Sequence, residues 1–444
     1  MSGLARLAAQ AGYAVSGTDR DDTDVLRALR AIGVDVRVGH AADAIPADAD
    51  ALVVSTAIAA DNPERAAAVA RGLPVLHRAD LLVELMAGRR GLAVAGAHGK
   101  STTSAMLAHA LGDVSACIGA TVPGGGGTGA VWGDEPWFVA EADESDRSLL
   151  KLSPEAAILL NVDHDHHATY AGMEDVEAVF REFVQRLPAS GMLVVGPDER
   201  AQGVAASAPC AVRMVGDAPG DFFCTVTGPQ DDATLVMADG RALPFDLDVP
   251  GRHNQTNAAC AVALADWCGV DATTALDRLR SFTGVGRRFE HRGTIGGVTV
   301  VDDYAHHPAE ITATLSAARS RNPRRIVVVF QPHLYSRTRA LVREFGQALG
   351  GADVVIVTDI YAAREPLDPS ISGRDVADAV PSSTSTRFIP GLDEACATIA
   401  SELHAGDMVL TIGAGDVTRI GQELVARLQT RLGDGGDPHE LDAP

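Results

Sequence analysis

Lysine is almost missing from this chain. Of its 37 basic side chains only Lys100 and Lys151 are lysine, and all the others are arginine. The guanine-reading motif Asn-Lys-x-Asp is absent, which disfavours a P-loop GTPase or kinase. Aromatic residues are scarce at 4%, so the cores must be built mainly from Ala, Val, Leu and Ile. Positive charge is in deficit, and a net charge of −22 argues against nonspecific nucleic-acid binding, which needs a basic surface. Anionic ligands must then be met by local basic groups and backbone N–H donors. The six cysteines are scattered, with no C-x-x-C and no zinc-ligand spacing. There is no signal-peptide pattern and no apolar run long enough to span a membrane, so the expected location is a reducing cytoplasm. No internal repeat of fixed period is present.

What is there reads as α/β. A length of 444 residues exceeds one compact core and predicts two or three domains. Hydrophobic content of 46% against 22% charged residues predicts a folded, globular chain. Residues 4–10 have a helical pattern that stops at Gly12, followed by a short strand over 13–17. A helix with nothing before it, running into a strand, looks like a βαβ unit without its first strand. To residue 90, short strands (34–38, 51–55, 73–76) alternate with helices (24–31, 63–71), which implies a parallel sheet. Arg89 and Arg90 read as a linker into the next stretch, 91–290, with strands at 137–140, 156–160 and 192–195, a β-rich insert over 222–249 and a helix over 255–268. A third α/β unit, 291–444, has strands at 298–301, 325–330, 353–358 and 408–412, and a polar tail from about 434. The glycine run 123–129 reads as a flexible surface loop.

Several constellations carry chemistry. Gly96-Ala97-His98-Gly99-Lys100-Ser101-Thr102-Thr103 follows the apolar stretch 91–95 and opens a helical pattern over 102–111. Its glycine spacing is shorter than a full Walker A, but the strand–loop–helix context supports a phosphate loop. Backbone N–H groups and the helix N-terminus would cradle phosphates. Lys100 would reach the β and γ oxygens, and the Ser101 hydroxyl would coordinate Mg²⁺. In a chain that writes its cations as arginine, a lysine here is telling: an ammonium is compact enough to fit under a tight glycine turn. Glu141-Ala142-Asp143-Glu144-Ser145-Asp146 leaves the strand 137–140, and Glu141, the first carboxylate out, is the preferred Mg²⁺ ligand over a solvated acidic turn. Asn161-Val162-Asp163-His164-Asp165-His166-His167 suits a metal site, a general base or a polar loop, and residue types alone leave these open. Gly251-Arg252-His253-Asn254-Gln255-Thr256-Asn257 opens a helix, either as a cap at Asn254 or as a nucleotide-base contact. Asp302–Pro308 and Gln331–Arg339 place polar groups at strand carboxyl ends, where open α/β sheets bind ligands.

In this order and spacing, the motifs resemble the Mur ligase family over nearly the whole chain, through 96–103, 141–146, 161–170, 251–258, 284–289, 302–308 and 331–339. The resemblance is to the branch that joins L-alanine to UDP-N-acetylmuramate in peptidoglycan synthesis. It implies a Rossmann-like UDP-sugar domain (1–90), a central P-loop ATPase domain (91–290) and a Rossmann-like carboxyl-terminal domain (291–444). It implies ATP as cosubstrate, Mg²⁺ with Mn²⁺ as a substitute, an acyl-phosphate intermediate, and a monomer or homodimer without nucleic-acid or membrane partners. Gly96, His98, Gly99, Lys100, Ser101 and Thr102 would hold the phosphates, His253, Asn254 and Asn257 the nucleotide, and Asp303 the ribose. Ser101, Glu141 and His166 become metal ligands. Lys100, Arg288 and His306 serve the transfer, Tyr304 and His306 face the reacting phosphate and amino acid, and His333 and Arg337 hold the alanine carboxylate. Four departures stand out: an apparently truncated first strand and glycine turn, Ala168 in place of an aspartate, Leu334 in place of an arginine, and no lysine after His166 to form a carbamylated bridge between metals. Two other readings stay open, a recycling ligase that joins a tripeptide to the same sugar nucleotide and an ATP-binding protein without ligase turnover.

Overall fold

The computed structural model describes residues 1–164, 169–217, 220, 222–229, 232–363 and 365–433. The expected tail from 434, together with His166 and Ala168, lies outside the described residues. The chain divides into two compact units, Met1–Leu247 with Asn254–Val285, and Asp248–His253 with Gly286–Pro444. Among the described residues no helix is long and apolar enough to cross a membrane.

The first unit is organised around the strand Arg90–Ala95, whose last five residues are buried. This strand lies between Ala156–Leu159 and Trp137–Glu141, parallel to both. Further out on one side come Met192–Val195, Ala211–Gly216, Cys224–Thr227, Thr234–Met237 and Ala242–Pro244. Ser115–Cys117 and Ala130–Val131 continue the sheet on the other side. Pairing is parallel in the centre and antiparallel only toward the two edges. Central parallel strands are covered on both faces, which explains their continuous apolar runs. The alanines Ala93, Ala95, Ala140 and Ala157 share one core cluster with Phe138, Phe180 and Phe183, small residues alternating with large ones. The helix Lys100–Leu111 buries nine of its twelve residues, including Ser101, Thr102, Thr103 and Ser104. A helix enclosed on all sides shows no amphipathic stripe, so its polar first turn is not solvent-facing.

The amino-terminal helix Ser2–Gln10 contributes Leu4, Leu7 and Ala8 to that same core. Two parallel pairs follow, Ser16–Asp19 with Asp35–Val38 and Leu52–Val54 with Val75–His77. The first and last of these begin later than the expected 13 and 73 because the preceding helices take those residues. Tyr13 N donates to Ala8 O, and Leu73 N to Ala68 O, closing each helix. Arg89 and Arg90 are not a loose linker. Their guanidinium groups lie 4.3 Å from the Trp132 ring centroid and 3.9 Å from that of Trp137, and Arg90 also pairs with Glu155. The glycine run is also more ordered than expected. Val122 N donates to Thr128 O and Thr128 N to Gly125 O, and Gly125 and Thr128 are buried. A Cβ on Gly125 would sit 2.1 Å from the Thr128 carbonyl oxygen, so glycine here serves close packing.

The second unit holds a six-stranded sheet in the order Glu290–Ile295, Val298–Asp303, Asp407–Ile412, Arg325–Phe330, Val354–Val357, Ser385–Phe388. All pairs are parallel except the edge hairpin 290–303. Alternate residues feed two cores, Val301, Val328, Phe330 and Leu410 on one face and Val300, Val327, Val329 and Val409 on the other. The last strand in sequence lies between two earlier ones, and Asp303 and Phe330 both register with Ile412. Crevices at such reversals of strand order are where open α/β sheets bind ligands.

Candidate active site

In the first unit, three central strands end side by side. Gly96 follows one, Glu141 closes the second, and Leu160-Asn161 leave the third. The loop turns into its helix through Gly99 at φ +84°, where a Cβ would lie 3.0 Å from Asn257 Oδ1. Glycine supplies both the left-handed turn and the clearance. Asn161 braces the loop as a clamp: its Oδ1 accepts from His98 N at 2.8 Å and its Nδ2 donates to His98 O at 3.0 Å. Asp163 meets His98 Nε2 at 3.2 Å, which gives part of the acid–histidine cluster a bracing role. His164 N donates to Asp163. Among the readings left open for that cluster, the one involving His166 falls outside the described residues.

Lys100 curls under the loop. Its ammonium donates to Gly96 O at 2.7 Å, to Ala97 O at 3.1 Å and to Glu144 Oε1 at 2.9 Å. Burial by itself lowers the lysine pKa, but the carboxylates of Glu144 and Glu141 outweigh it and raise the pKa above its ordinary value. The Ser101 hydroxyl donates to Glu141, 3.0 and 3.1 Å from the two carboxylate oxygens, and Gly119 N donates to Glu141 Oε2 at 2.6 Å. Thr102 is buried in the first turn of the helix. Residue types along the acidic turn do not single out Glu144, because its approach to Lys100 spans 44 residues of sequence. Asn254 and Asn257 are buried on one helix, Arg252–Trp267, and Asn257 lies against Gly99. His253 is exposed beside them in sequence.

The second unit gathers the remaining predicted residues. Asp303 closes its strand and accepts from Phe289 N and Ala305 N, both at 2.7 Å. Burial pushes its carboxyl up to about 6 despite the opposing charge of Arg288 and the two backbone donors. Its neighbour Asp302 points to the other side and is tied to Thr411, Thr418 and Arg292, a structural role. The Tyr304 ring lies 4.8 Å from the Arg287 guanidinium and 5.2 Å from that of Arg288. Arg288 also faces Glu310 at 3.5 Å. His306 Nδ1 lies 2.9 Å from the Tyr304 carbonyl oxygen, a contact that calls for a proton on Nδ1. The rings of His306 and His333 are 6.2 Å apart, and His333 stacks on Tyr361 at 5.8 Å. Arg337, only 5% exposed, donates to His333 Nδ1 at 3.3 Å. Leu334, at φ +69°, precedes the helix Tyr335–Leu349. Tyr361 has no motif to announce it. Its backbone accepts from Leu334 N and donates to Pro332 O, 27 and 29 residues back along the chain.

A phosphate loop opening a buried helix, with acid turns at the ends of flanking parallel strands, defines a P-loop nucleotide-binding protein of the α/β class. Three family models match in succession: Mur ligase family, catalytic domain over 1–90, Mur ligase middle domain over 133–265, and Mur ligase, glutamate ligase domain over 287–415. The chain belongs to the Mur ligase family. A UDP-N-acetylmuramate–L-alanine ligase of Kineococcus radiotolerans is 47% identical over 450 residues, covering 97% of this chain and 94% of that one. Among solved structures, the UDP-N-acetylmuramate–alanine ligase of Thermotoga maritima superposes with a TM-score of 0.81 at 28% identity, over 97% of this chain and 96% of that one. A murein peptide ligase of Psychrobacter arcticus shares the fold, with a TM-score of 0.73 at 24% identity over 96% of each chain.

Proposed function

We propose that this chain joins L-alanine to UDP-N-acetylmuramate at the expense of ATP, forming an amide bond in peptidoglycan precursor synthesis in the cytoplasm. The observation that carries the reading is the phosphate loop in which Lys100 and Ser101 face Glu144 and Glu141, in a chain 47% identical to a relative of that name. The lactyl carboxylate of the sugar nucleotide attacks the γ-phosphorus of ATP, giving an acyl phosphate and ADP. The alanine amine then attacks the acyl carbon, and phosphate leaves.

Both steps bring anions together, so fixed positive charge is the main requirement. Lys100 supplies it: incoming phosphate oxygens replace the Gly96 and Ala97 carbonyls and Glu144 around the ammonium. The loop N–H groups, Gly96 to Thr102, orient the phosphates, and Asn161 keeps His98 in place while they do so. His253, Asn254 and Asn257 take the nucleotide, and Asp303 the ribose.

The Ser101 hydroxyl beside the Glu141 carboxylate is an all-oxygen donor pair, the set that Mg²⁺ or Mn²⁺ prefers, and His166 completes the assignment. Mg²⁺, when bound, neutralises charge building on the transferring phosphate. Arg288 and Tyr304 face the same phosphate. His306 takes the proton that the alanine ammonium must lose before attack. Arg337 and His333 bind the alanine carboxylate, the planar guanidinium fork matching its two oxygens.

The test is phosphate release measured with each substrate omitted in turn. Release should require ATP, UDP-N-acetylmuramate, L-alanine and Mg²⁺ together; release indifferent to L-alanine overturns the reading. Replacement of L-alanine by a tripeptide at equal or better rate would point instead to a recycling ligase.

A further inference from the structure

We propose that Arg78 is a positioning residue for the nucleotide end of the active site, acting on the acidic turn that faces the phosphate loop. The inference rests on the ligase reading and deepens it.

The turn is crowded with charge. Glu141, Asp143, Glu144 and Asp146 place four carboxylates within six residues. Two of them, Glu141 and Glu144, turn toward Ser101 and Lys100. The other two turn away and converge on one guanidinium. Arg78 Nη2 lies 2.6 Å from Asp143 Oδ2, 3.0 Å from Asp146 Oδ2 and 3.2 Å from Ser148 Oγ. Four like charges in so short a segment repel strongly unless each is matched. Lys100 meets Glu144, the Ser101 hydroxyl and Gly119 N–H meet Glu141, and Arg78 alone supplies a guanidinium to Asp143 and Asp146, so its loss leaves two neighbouring carboxylates of the turn repelling each other.

Arg78 reaches the turn from a distant part of the chain. It is the first residue of the helix Arg78–Met86, directly after the strand Val75–His77. Thr56, just past the strand Leu52–Val54, donates to the same Asp146 oxygen at 2.7 Å, and His77 Nε2 lies 3.4 Å from it. Two strand ends of the segment matched by the first family model are thereby tied to the turn beside the phosphate loop. A second ion pair joins the same helix to the same region: Lys151 Nζ to Asp80 Oδ1 at 2.6 Å. That pair is more open to solvent and touches neither acid of the turn. It is the built-in control for simple tethering.

The experiment is calorimetric titration of the full chain with Mg²⁺ and a non-hydrolysable ATP analogue, which reads binding without turnover. Arg78→Ala should weaken nucleotide binding at least tenfold, and Lys151→Ala should leave it within twofold of the unmodified chain. Arg78→Lys should recover part of the affinity, because an ammonium meets one carboxylate at a time where a guanidinium meets two. In turnover assays the KM for L-alanine should not move in any of the three. Equal affinity in Arg78→Ala and the unmodified chain overturns the proposal, as does an equal loss in Lys151→Ala. If Arg78→Ala fails to fold, Arg78→Lys carries the test: affinity at least threefold weaker is expected, and unchanged affinity overturns the assignment. No nucleotide binding by the unmodified chain would sink the ligase reading itself, whereas a variant-to-parent ratio of one sinks only this inference.

Discussion

Two strand-end acid sites in this molecule treat their carboxylates in opposite ways. In the first unit the turn after Trp137–Glu141 matches every acid with a cation or a hydroxyl donor. Burial opposes the ionisation of Asp146, yet hydrogen bonds from Ser148 and Thr56 and the Arg78 guanidinium hold its carboxyl well below the usual carboxylate range. Burial acts on Asp143 in the same way and is again outweighed, by Arg78 and Ser145. In the second unit Asp303 is more deeply buried, and burial pushes its carboxyl up to about 6 against the charge of Arg288 and two backbone N–H donors. The aspartates stand at or just past strand ends in both units; burial and the pairing of counter-charge are what differ. The first site holds its aspartates anionic beside Lys100, and in the second burial keeps the Asp303 carboxyl up at about 6.

The most severe way to break the first site is Lys100→Ala. It removes the charge on which the transfer depends and leaves Glu144 buried without its cation. ATP-dependent phosphate release should fall by about a thousandfold. A coupled phosphate assay checks this, and Lys100→Arg should fail to rescue because the planar fork does not fit under the Gly96–Gly99 turn.

Next in size is Glu141→Gln, which keeps the shape of the Ser101 contact but removes its charge. The Mg²⁺ concentration needed for half-maximal rate should rise about ten- to a hundredfold. A magnesium titration reads this directly, and an unchanged requirement would shift the metal assignment to another carboxylate of the turn. In the second unit, Arg337→Lys should raise the KM for L-alanine about tenfold, with the KM for ATP unmoved, because a point charge replaces a two-pronged contact.

The smallest effect sharpens the electrostatic contrast. The folded state holds the Asp303 proton more tightly than the unfolded chain, whose carboxyl sits near the ordinary 3.8. The contribution of this site to stability is therefore greatest below 3.8 and falls as pH rises through about 6. Thermal melts between about pH 4 and 7 should show that decline, and Asp303→Asn should flatten it. Asp146→Asn would have the opposite sign. A carboxylate with a depressed pKa contributes stability at neutral pH that is lost only on strong acidification, so removing it should lower the melting temperature at pH 7.

Much of this arrangement was legible along the chain. The apolar run before Gly96, the glycine turn and the buried helix after it follow from local rules: strand burial, left-handed glycine and a helix N-terminus for phosphate. The strand ends carrying Asp303 and Gln331 were equally readable, since α/β alternation places ligand-binding groups there. Less readable were the starts of strands 16–19 and 75–77, where helix-closing hydrogen bonds take residues that an apolar pattern assigns to the strand. The glycine run 123–129 misled for a related reason. Glycine marks both flexibility and close packing, and only the neighbouring carbonyl at Thr128 tells which applies.

By itself, then, the sequence determined which chemical groups stand at the ends of which strands, because hydrogen bonding and side-chain alternation act over a few residues. It determined that the scarce lysine at position 100 lies in a phosphate loop. Only the tertiary structure decided that Glu144 faces Lys100, that Arg78 holds Asp143 and Asp146, that Asp302 is tied to Thr411 while Asp303 accepts from Phe289 and Ala305, and that Tyr361 stacks on His333. Those pairings join residues tens of positions apart, where charge and burial act through space and no local pattern carries them.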